Sequence, residues 1–432
     1  MALTKKGYKA RIIDAKIEEY LQIFGAISIE GPKWCGKTWT SLNHANSATY
    51  IMNPAGNYQT KNRAMHDPTL ILNDAIPQLI DEWQEVPGIW DAVRYDIDLN
   101  PGHGKYILTG SVTPPRQGFL HSGVGRFAFL HMYPMTLSES GDSECMISFS
   151  SLFEKPDIKS FVADIDLQRL TGIIVRGGWP EALALPEGKA GYIANEYIKA
   201  IYKNELFNED FSKRNSGKLE LLLRSLARNN VTTVNDETII KDIEGSGNTT
   251  ENEEDRLISR SSVLTYIKDL KKIFMIEDIP AWGPEIRSKT RIRTSPKRIF
   301  ADPSLAVAVL GINVERLLSD FNTLGFMFEN LCLRDIAVYA GAMGGSLYHY
   351  RDNSNLEVDA VVELKDGTWA AFEIKLGEHS ADAAAKSLIR LRDKMTERGA
   401  RPPAFLSVIT GGGLGMKRED GVYVVPINAL RE

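Results

Sequence analysis

The chain has 432 residues, 43% of them hydrophobic and 25% charged, with a formal net charge of −5. This is the composition of an ordinary globular protein of several domains, at roughly 150 residues each, and it gives no global attraction to nucleic acid, so any such surface must be local. Three cysteines (Cys35, Cys145 and Cys332) with no CxxC pair exclude a zinc ribbon or a disulfide framework and suit a reducing compartment.

The N-terminal stretch "MALTKKGYKARIIDAKIEEYL" is polar and charged, unlike a signal peptide, and no apolar run is long enough to span a bilayer. A cytoplasmic protein without a membrane segment is expected. Five short apolar strands follow in chain order: "AISIEG" (26–31), "ATYIMN" (48–53), "PQLIDE" (77–82), "KYILTGS" (105–111) and "FAFLHMYP" (127–134). Helical segments alternate with them, which predicts a parallel α/β sheet. "IKSFVADIDLQRLTGIIVRGGWPEAL" and "YIANEYIKAIYKNEL" then read as helical. From 216 to about 300 the helices "LELLLRSLARN" and "SVLTYIKDLKKIF" precede a hairpin made by "FMIEDIPAW" and "SPKRIFA". Helices followed by a hairpin are the layout of a winged helix, and the polar stretch 244–256 reads as a surface loop. After 320 a helix, "LGFMFENLCLRDIAVYA", opens a second α/β pattern. Its strands are "SLYHYR", "EVDAVVEL", "WAAFEIKL", "AFLSVIT" and "GVYVVPI", with the helix "DAAAKSLIRLRDKM" among them.

The segment "GPKWCGKTW" behind the first strand carries Gly31, Pro32, Lys33, Trp34, Cys35, Gly36, Lys37, Thr38 and Trp39. Gly-x4-Gly-Lys-Thr between a strand and a helix is a phosphate-binding loop: the glycines let main-chain N–H groups wrap a phosphate at a helix N-terminus. Lys37 would reach the β- and γ-phosphates of ATP, and Thr38 would bind Mg²⁺. The strand "QLIDE" ends in an acidic pair, in which Asp81 would hold the magnesium water and Glu82 would activate the attacking water. "ILTGS" places Thr109 at the end of the next strand, where its hydroxyl would sense the γ-phosphate; Ser111 is the rival. ATP or ADP with Mg²⁺ is thus the expected ligand.

These pieces, with "GVGRFAFLHMYPMTLSE", "GGWPEAL", "SPKRIFADPSLA", "GFMFENLCLRD" and "YHYRDNSNLEVDAVVEL…AFEIKLG", resemble the prokaryotic AAA+ ATPases that carry a C-terminal domain related to the PD-(D/E)XK nucleases. They run in family order from about residue 10 to residue 377. Trp34, Cys35 and Trp39 depart from the usual loop sequence without removing a ligand, and "IYKNELF" lacks the Arg-Asp pair usual there. The resemblance implies an AAA+ P-loop domain over 1–150, a helical lid over 151–215, a winged-helix-like domain over 216–310 and a restriction-endonuclease-like α/β domain over 311–432. It also implies that Arg126, directly before the fifth strand, completes a neighbouring subunit's site in a homo-oligomer, with Arg176 as a lid arginine. In the C-terminal domain Glu329, Asp359 and Glu373 are expected to share a Mg²⁺ ion, with Lys375 positioning or deprotonating a water for phosphodiester cleavage. The basic strip 286–298, with Arg287, Lys289, Arg291, Arg293, Lys297 and Arg298, would track DNA from the wing, or else is a solvated edge hairpin. Two functions remain open on these residues. One is an ATP-hydrolysing enzyme coupled to a nuclease-like domain; the other is a nucleotide-dependent switch whose C-terminal domain only recognises DNA or a partner.

Overall fold

The computed structural model describes residues 3–112, 123–156, 158–189, 191–203, 216–245, 259–285, 288, 291 and 294–432. It divides into two compact units, Met1–Pro134 with Lys272–Met275, and Met135–Lys271 with Ile276–Glu432. In the first unit all five expected strands form: β1 (Ala26–Glu30), β2 (Ser47–Tyr50), β3 (Gln78–Asp81), β4 (Tyr106–Gly110) and β5 (Phe127–His131). They are parallel throughout, in the order β2-β3-β4-β1-β5. β1 reads as a continuous apolar run because a parallel sheet is covered on both faces; Ala26, Ile27, Ser28 and Ile29 are all buried. Trp83, Trp90 and Phe127 build the core beside the sheet, with the last two rings stacked 3.8 Å apart. Because the strands are parallel, their C-terminal ends share one edge, and there β1 and β3 deliver the glycine loop and the acidic pair.

The second unit contains β6 (Ile147–Ser148), β7 (Phe161–Ala163), β8 (Ile276–Ile279), β9 (Lys297–Phe300), β10 (Ser346–Arg351), β11 (Glu357–Glu363), β12 (Trp369–Lys375), β13 (Leu406–Thr410), β14 (Gly413–Lys417), β15 (Tyr423–Pro426) and β16 (Leu430–Arg431). Seven of them form a mixed sheet in the order β10-β11-β12-β13-β15-β14-β7. β12, β13 and β15 run parallel, and the other neighbours are antiparallel. The helix Ala381–Glu397 packs its Ala384, Leu388, Leu391 and Met395 face on this sheet, in one core with Trp282 and Trp369.

Two elements differ from expectation. "FVA" (161–163) lies in a stretch expected to be helical, but it is the strand β7, an edge of the C-terminal sheet paired with β14. β14 itself was hidden by its glycines, and Gly415 is required there because a Cβ would collide with the Phe161 ring. Among the described residues a third helix joins the two expected in the middle of the chain: Ser216–Arg228, Asp236–Gly245 and Arg260–Lys272. The second starts where the Asn235 carboxamide oxygen accepts from Thr238 N–H at 2.9 Å. β8 and β9 then pair antiparallel as expected, and Thr232 bridges to Arg298 beside them. β7 sits in the C-terminal sheet and Trp282 in its core, so the segments expected as lid and winged helix both contribute to that unit. Most of the polar loop 244–256 and the end of "IYKNELF" lie outside the described residues.

Three of the family-like motifs meet in one buried node of this unit. Arg334 bridges Asp302 and Asp335 at 2.6 Å each. Asp302 accepts from Gly178 N–H, and Asp335 from Leu137 N–H, both at 2.9 Å. Trp179 donates its indole N–H to Ser304 at 2.9 Å. "GGWPEAL", "ADPSLA" and "LCLRD" are therefore joined by packing and charge pairing, a structural use for residues that sequence alone marks only as motifs.

Candidate functional site

The loop at the end of β1 is shaped by backbone demands. Gly36 has φ 105, which only glycine adopts without strain, and a Cβ on Gly31 would collide with the Met132 carbonyl. Cys35 is fully buried with its thiol 3.5 Å from the same carbonyl, so the unusual cysteine packs inward. Trp34, at φ 66, and Trp39 are both exposed on either side of the loop; Pro32 is buried and Lys33 half-buried. Arg11 clamps the loop from below, donating to Cys35 O and to Tyr133 O at 2.9 Å each. It lies twenty residues before the motif, and no local pattern marks it.

Lys37 opens the helix Lys37–His44 and is buried, its ammonium donating to Gly31 O at 2.9 Å and Pro32 O at 2.8 Å. Thr38 donates to Asp81 Oδ1 at 2.9 Å, and Thr109 donates to the same oxygen at 2.6 Å. The β3–β4 register places Asp81 beside Thr109, so that meeting is built into the sheet. Burial pushes the Asp81 carboxyl up, against the two hydroxyl donors. Glu82 is held in the left-handed region at φ 58, a strained conformation for a non-glycine residue. Ser111 donates to Glu82 Oε2 at 3.2 Å, and Gln84 is hydrogen-bonded to the same oxygen. Thr109 thus holds Asp81 and Ser111 holds Glu82. Gln84 stands two residues after the glutamate it holds, and no motif marks it.

Residues Thr38 and Asp81 fit a hard divalent cation, because a hydroxyl and a half-buried carboxylate already meet there beside the phosphate loop. Arg126 is exposed and paired with Asp98 at 2.9 Å. It precedes β5, whose first residue aligns with Ala26 and whose last aligns with Glu30, so it lies at the far end of the sheet from the loop. It cannot serve its own site. Arg176 is paired with Asp142 inside the second unit, which occupies the guanidinium expected to act as a lid sensor.

In the second unit Glu329, Asp359, Glu373 and Lys375 do come together, with one addition. Lys375 Nζ lies 2.9 Å from Asp359 Oδ2 and 2.7 Å from Glu373 Oε2. Lys297 Nζ lies 2.7 Å from Glu329 Oε1, 3.7 Å from Asp359 Oδ1 and 3.3 Å from the Asp359 carbonyl, and Lys297 is only 1% exposed. Burial opposes ionisation of Asp359, but the charges of Lys297 and Lys375 outweigh it and hold that carboxyl below its usual range. Burial, with the charge of Asp359 beside them, pushes Glu329 up to about 7 and Glu373 up to about 8. Among the described residues no group of three or more His, Cys, Asp or Glu side chains is arranged to hold a metal ion. The expected Glu329, Asp359, Glu373 and Lys375 thus lie together in an ion-pair network that Lys297 joins.

The basic strip differs for the same reason. Lys297 is in this cluster, Arg298 pairs with Asp278 at 2.9 Å, and Arg291 pairs with Glu363 at 2.8 Å. Arg287, Lys289 and Arg293 lie outside the described residues. A period of two would have found Lys297: on a strand it shares a face with Ile299, which is buried.

Residues 24–141 match the model of an AAA domain. Residues 167–316 and 324–430 match two further models, each described as a domain of unknown function (DUF8612 and DUF4143). Uncharacterised proteins of Mycobacterium bovis and Mycobacterium tuberculosis are each 23% identical over 372 residues, 84% of this chain and 72% of theirs. Among solved structures, a Walker-type ATPase of Pyrococcus abyssi matches with 16% identity and a TM-score of 0.43, over 72% of this chain and 98% of that one. No helix among the described residues is long and apolar enough to cross a membrane. The domain match over 24–141, on the five-stranded parallel sheet and its glycine loop, makes this part of the chain a P-loop ATPase domain of the AAA type.

Proposed function

We propose that the first unit binds and hydrolyses ATP with Mg²⁺, and that the second unit recognises DNA or a protein partner under its control. The observation that carries the first half is the meeting of Thr38, Thr109 and Asp81 beside Lys37, with Glu82 held by Ser111 and Gln84. Lys37 would exchange its two carbonyl acceptors for the β- and γ-phosphate oxygens. Thr38 and Asp81 would hold Mg²⁺, which offsets charge on the transferring phosphoryl group. Glu82 would take the proton of the attacking water, with Ser111 and Gln84 fixing its carboxylate. Arg126, remote from its own loop, would serve the neighbouring copy in a homo-oligomer, so that hydrolysis depends on assembly.

For the second unit, three helices leading into the β8–β9 hairpin support a winged-helix-like arrangement, and the mixed sheet with Asp359, Glu373 and Lys375 supports a PD-(D/E)XK-like one. Lys297 beside Glu329 and Asp359 favours recognition over cleavage, since it sits where a nuclease would need open carboxylate oxygens. Steady-state phosphate release and nucleotide affinity test the ATPase. A wild-type chain without affinity for any nucleotide at millimolar levels would sink that reading. Mg²⁺-dependent cutting of DNA, lost in both Asp359→Ala and Lys375→Ala, would replace the recognition role with a nuclease.

A further inference from the structure

The cluster in the second unit joins four elements. Lys297 comes from the hairpin strand β9, Glu329 from the helix Phe321–Ala342, Asp359 from β11, and Glu373 and Lys375 from β12. Three carboxylates meet two ammonium groups, all buried or half-buried. Both oxygens of Asp359 are engaged: Oδ1 faces Lys297, and Oδ2 accepts from Lys375 at 2.9 Å and from Ile374 N–H at 2.8 Å. Glu329 Oε1 and Glu373 Oε2 are each on a lysine as well.

We infer that Lys297 is the resident cation of this cluster, standing in place of a divalent ion, so that the C-terminal site takes no metal while that lysine is present. A Mg²⁺ ion requires oxygens converging at about 2.0–2.1 Å, and four of the six carboxylate oxygens already face an ammonium. A dication placed among them would also meet two positive charges at close range, that of Lys297 fully buried. Lys297 cannot simply swing out. Its strand is fixed by pairing with β8, and its neighbour Arg298 exchanges main-chain hydrogen bonds with Val231 and Thr232. Moving the ammonium would leave Glu329 buried and unpaired, which costs more than the pair itself is worth. The lysine thereby also ties the hairpin to the C-terminal sheet. This inference rests on the recognition reading above and deepens it, giving a physical reason why a nuclease-like carboxylate set would be silent.

The test uses the full chain carrying Asp81→Asn, which removes the N-terminal carboxylate as a competing ligand, and reads bound Mn²⁺ by the loss of the free-ion resonance in electron paramagnetic spectra. With Lys297 intact, bound Mn²⁺ should be the same with and without Asp359→Asn or Glu373→Gln. Lys297→Met should gain one Mn²⁺ per chain, and Asp359→Asn should remove it again. A Mn²⁺ site lost in Asp359→Asn or Glu373→Gln while Lys297 is intact would overturn the inference, as would a folded Lys297→Met chain that gains nothing. The comparison with Lys297 intact decides the matter even if Lys297→Met fails to fold. Such a site in a protein that still cuts no DNA would end this inference and leave the recognition reading standing.

Discussion

Both units bury a lysine beside acidic side chains, and the two lysines are held in opposite ways. Lys37 rests on the carbonyls of Gly31 and Pro32, neutral acceptors that a phosphate can displace. Lys297 rests on Glu329 and Asp359, whose charges bind it and are satisfied by it. The first arrangement leaves a cation and a half-buried carboxylate, Asp81, which on the proposed reading would take a ligand that carries both a phosphate and a metal. The second sets two ammonium groups against its three carboxylates and so offsets most of its charge internally. The residue types are nearly the same; the pairing decides which site is available for chemistry.

The largest effect that would break this comparison is at Lys37. Lys37→Ala should abolish nucleotide binding, measured with a fluorescent ATP analogue, while Glu82→Gln should bind ATP and lose turnover by about 10²-fold or more in phosphate release. Equal binding by wild type and Lys37→Ala would mean that the loop is not a nucleotide site.

The internally paired site should answer in stability. Asp359→Ala leaves Lys297 and Lys375 without their shared partner, at a cost of about 3–5 kcal/mol in urea unfolding. A loss near zero would show that the network is slack and that its carboxylates are open after all.

A smaller effect comes from acid. Burial, assisted by the nearby charge of Lys297, pushes His349 down to about 4, while its ring nitrogen stays 3.1 Å from Ser295 O. The unfolded chain therefore takes up this proton at a higher pH than the folded one does. Stability is full above the unfolded value near 6.5 and falls as pH drops toward 4, by at most roughly 3 kcal/mol. His349→Gln should flatten that slope in pH-dependent unfolding; an unchanged slope would mean the imidazole is solvated.

The smallest structural effect is expected at Arg126. Its pair with Asp98 is exposed, so Arg126→Ala should change stability by no more than about 1 kcal/mol. ATP should bind normally and be hydrolysed more slowly. Unchanged turnover, or full activity in a strict monomer, would remove the assembly-dependent role.

The sequence by itself determined the first sheet and its loop. Apolar runs, their spacing and the Gly-x4-Gly-Lys-Thr segment are local signals, and β1 to β5 formed where they were expected, with β4 between β1 and β3. The C-terminal strands β10 to β13 and β15 were legible for the same reason. The acidic pair was legible too, because a strand end fixes where its side chains emerge. What only the tertiary structure decided is which charges meet. Arg11 reaches the glycine loop from twenty residues away, Arg176 is spent on Asp142, and Asp302 and Arg334 join across the second unit. Lys297, one basic residue among six in its segment, was turned inward by the alternation of β9. Edge strands such as β7 and β14 escaped as well, since three residues and a glycine run carry little periodicity until a partner strand supplies the hydrogen bonds. Backbone pattern is a local property of a chain, whereas the pairing of buried charges depends on which distant elements share a core, and so it appears only once the core is built.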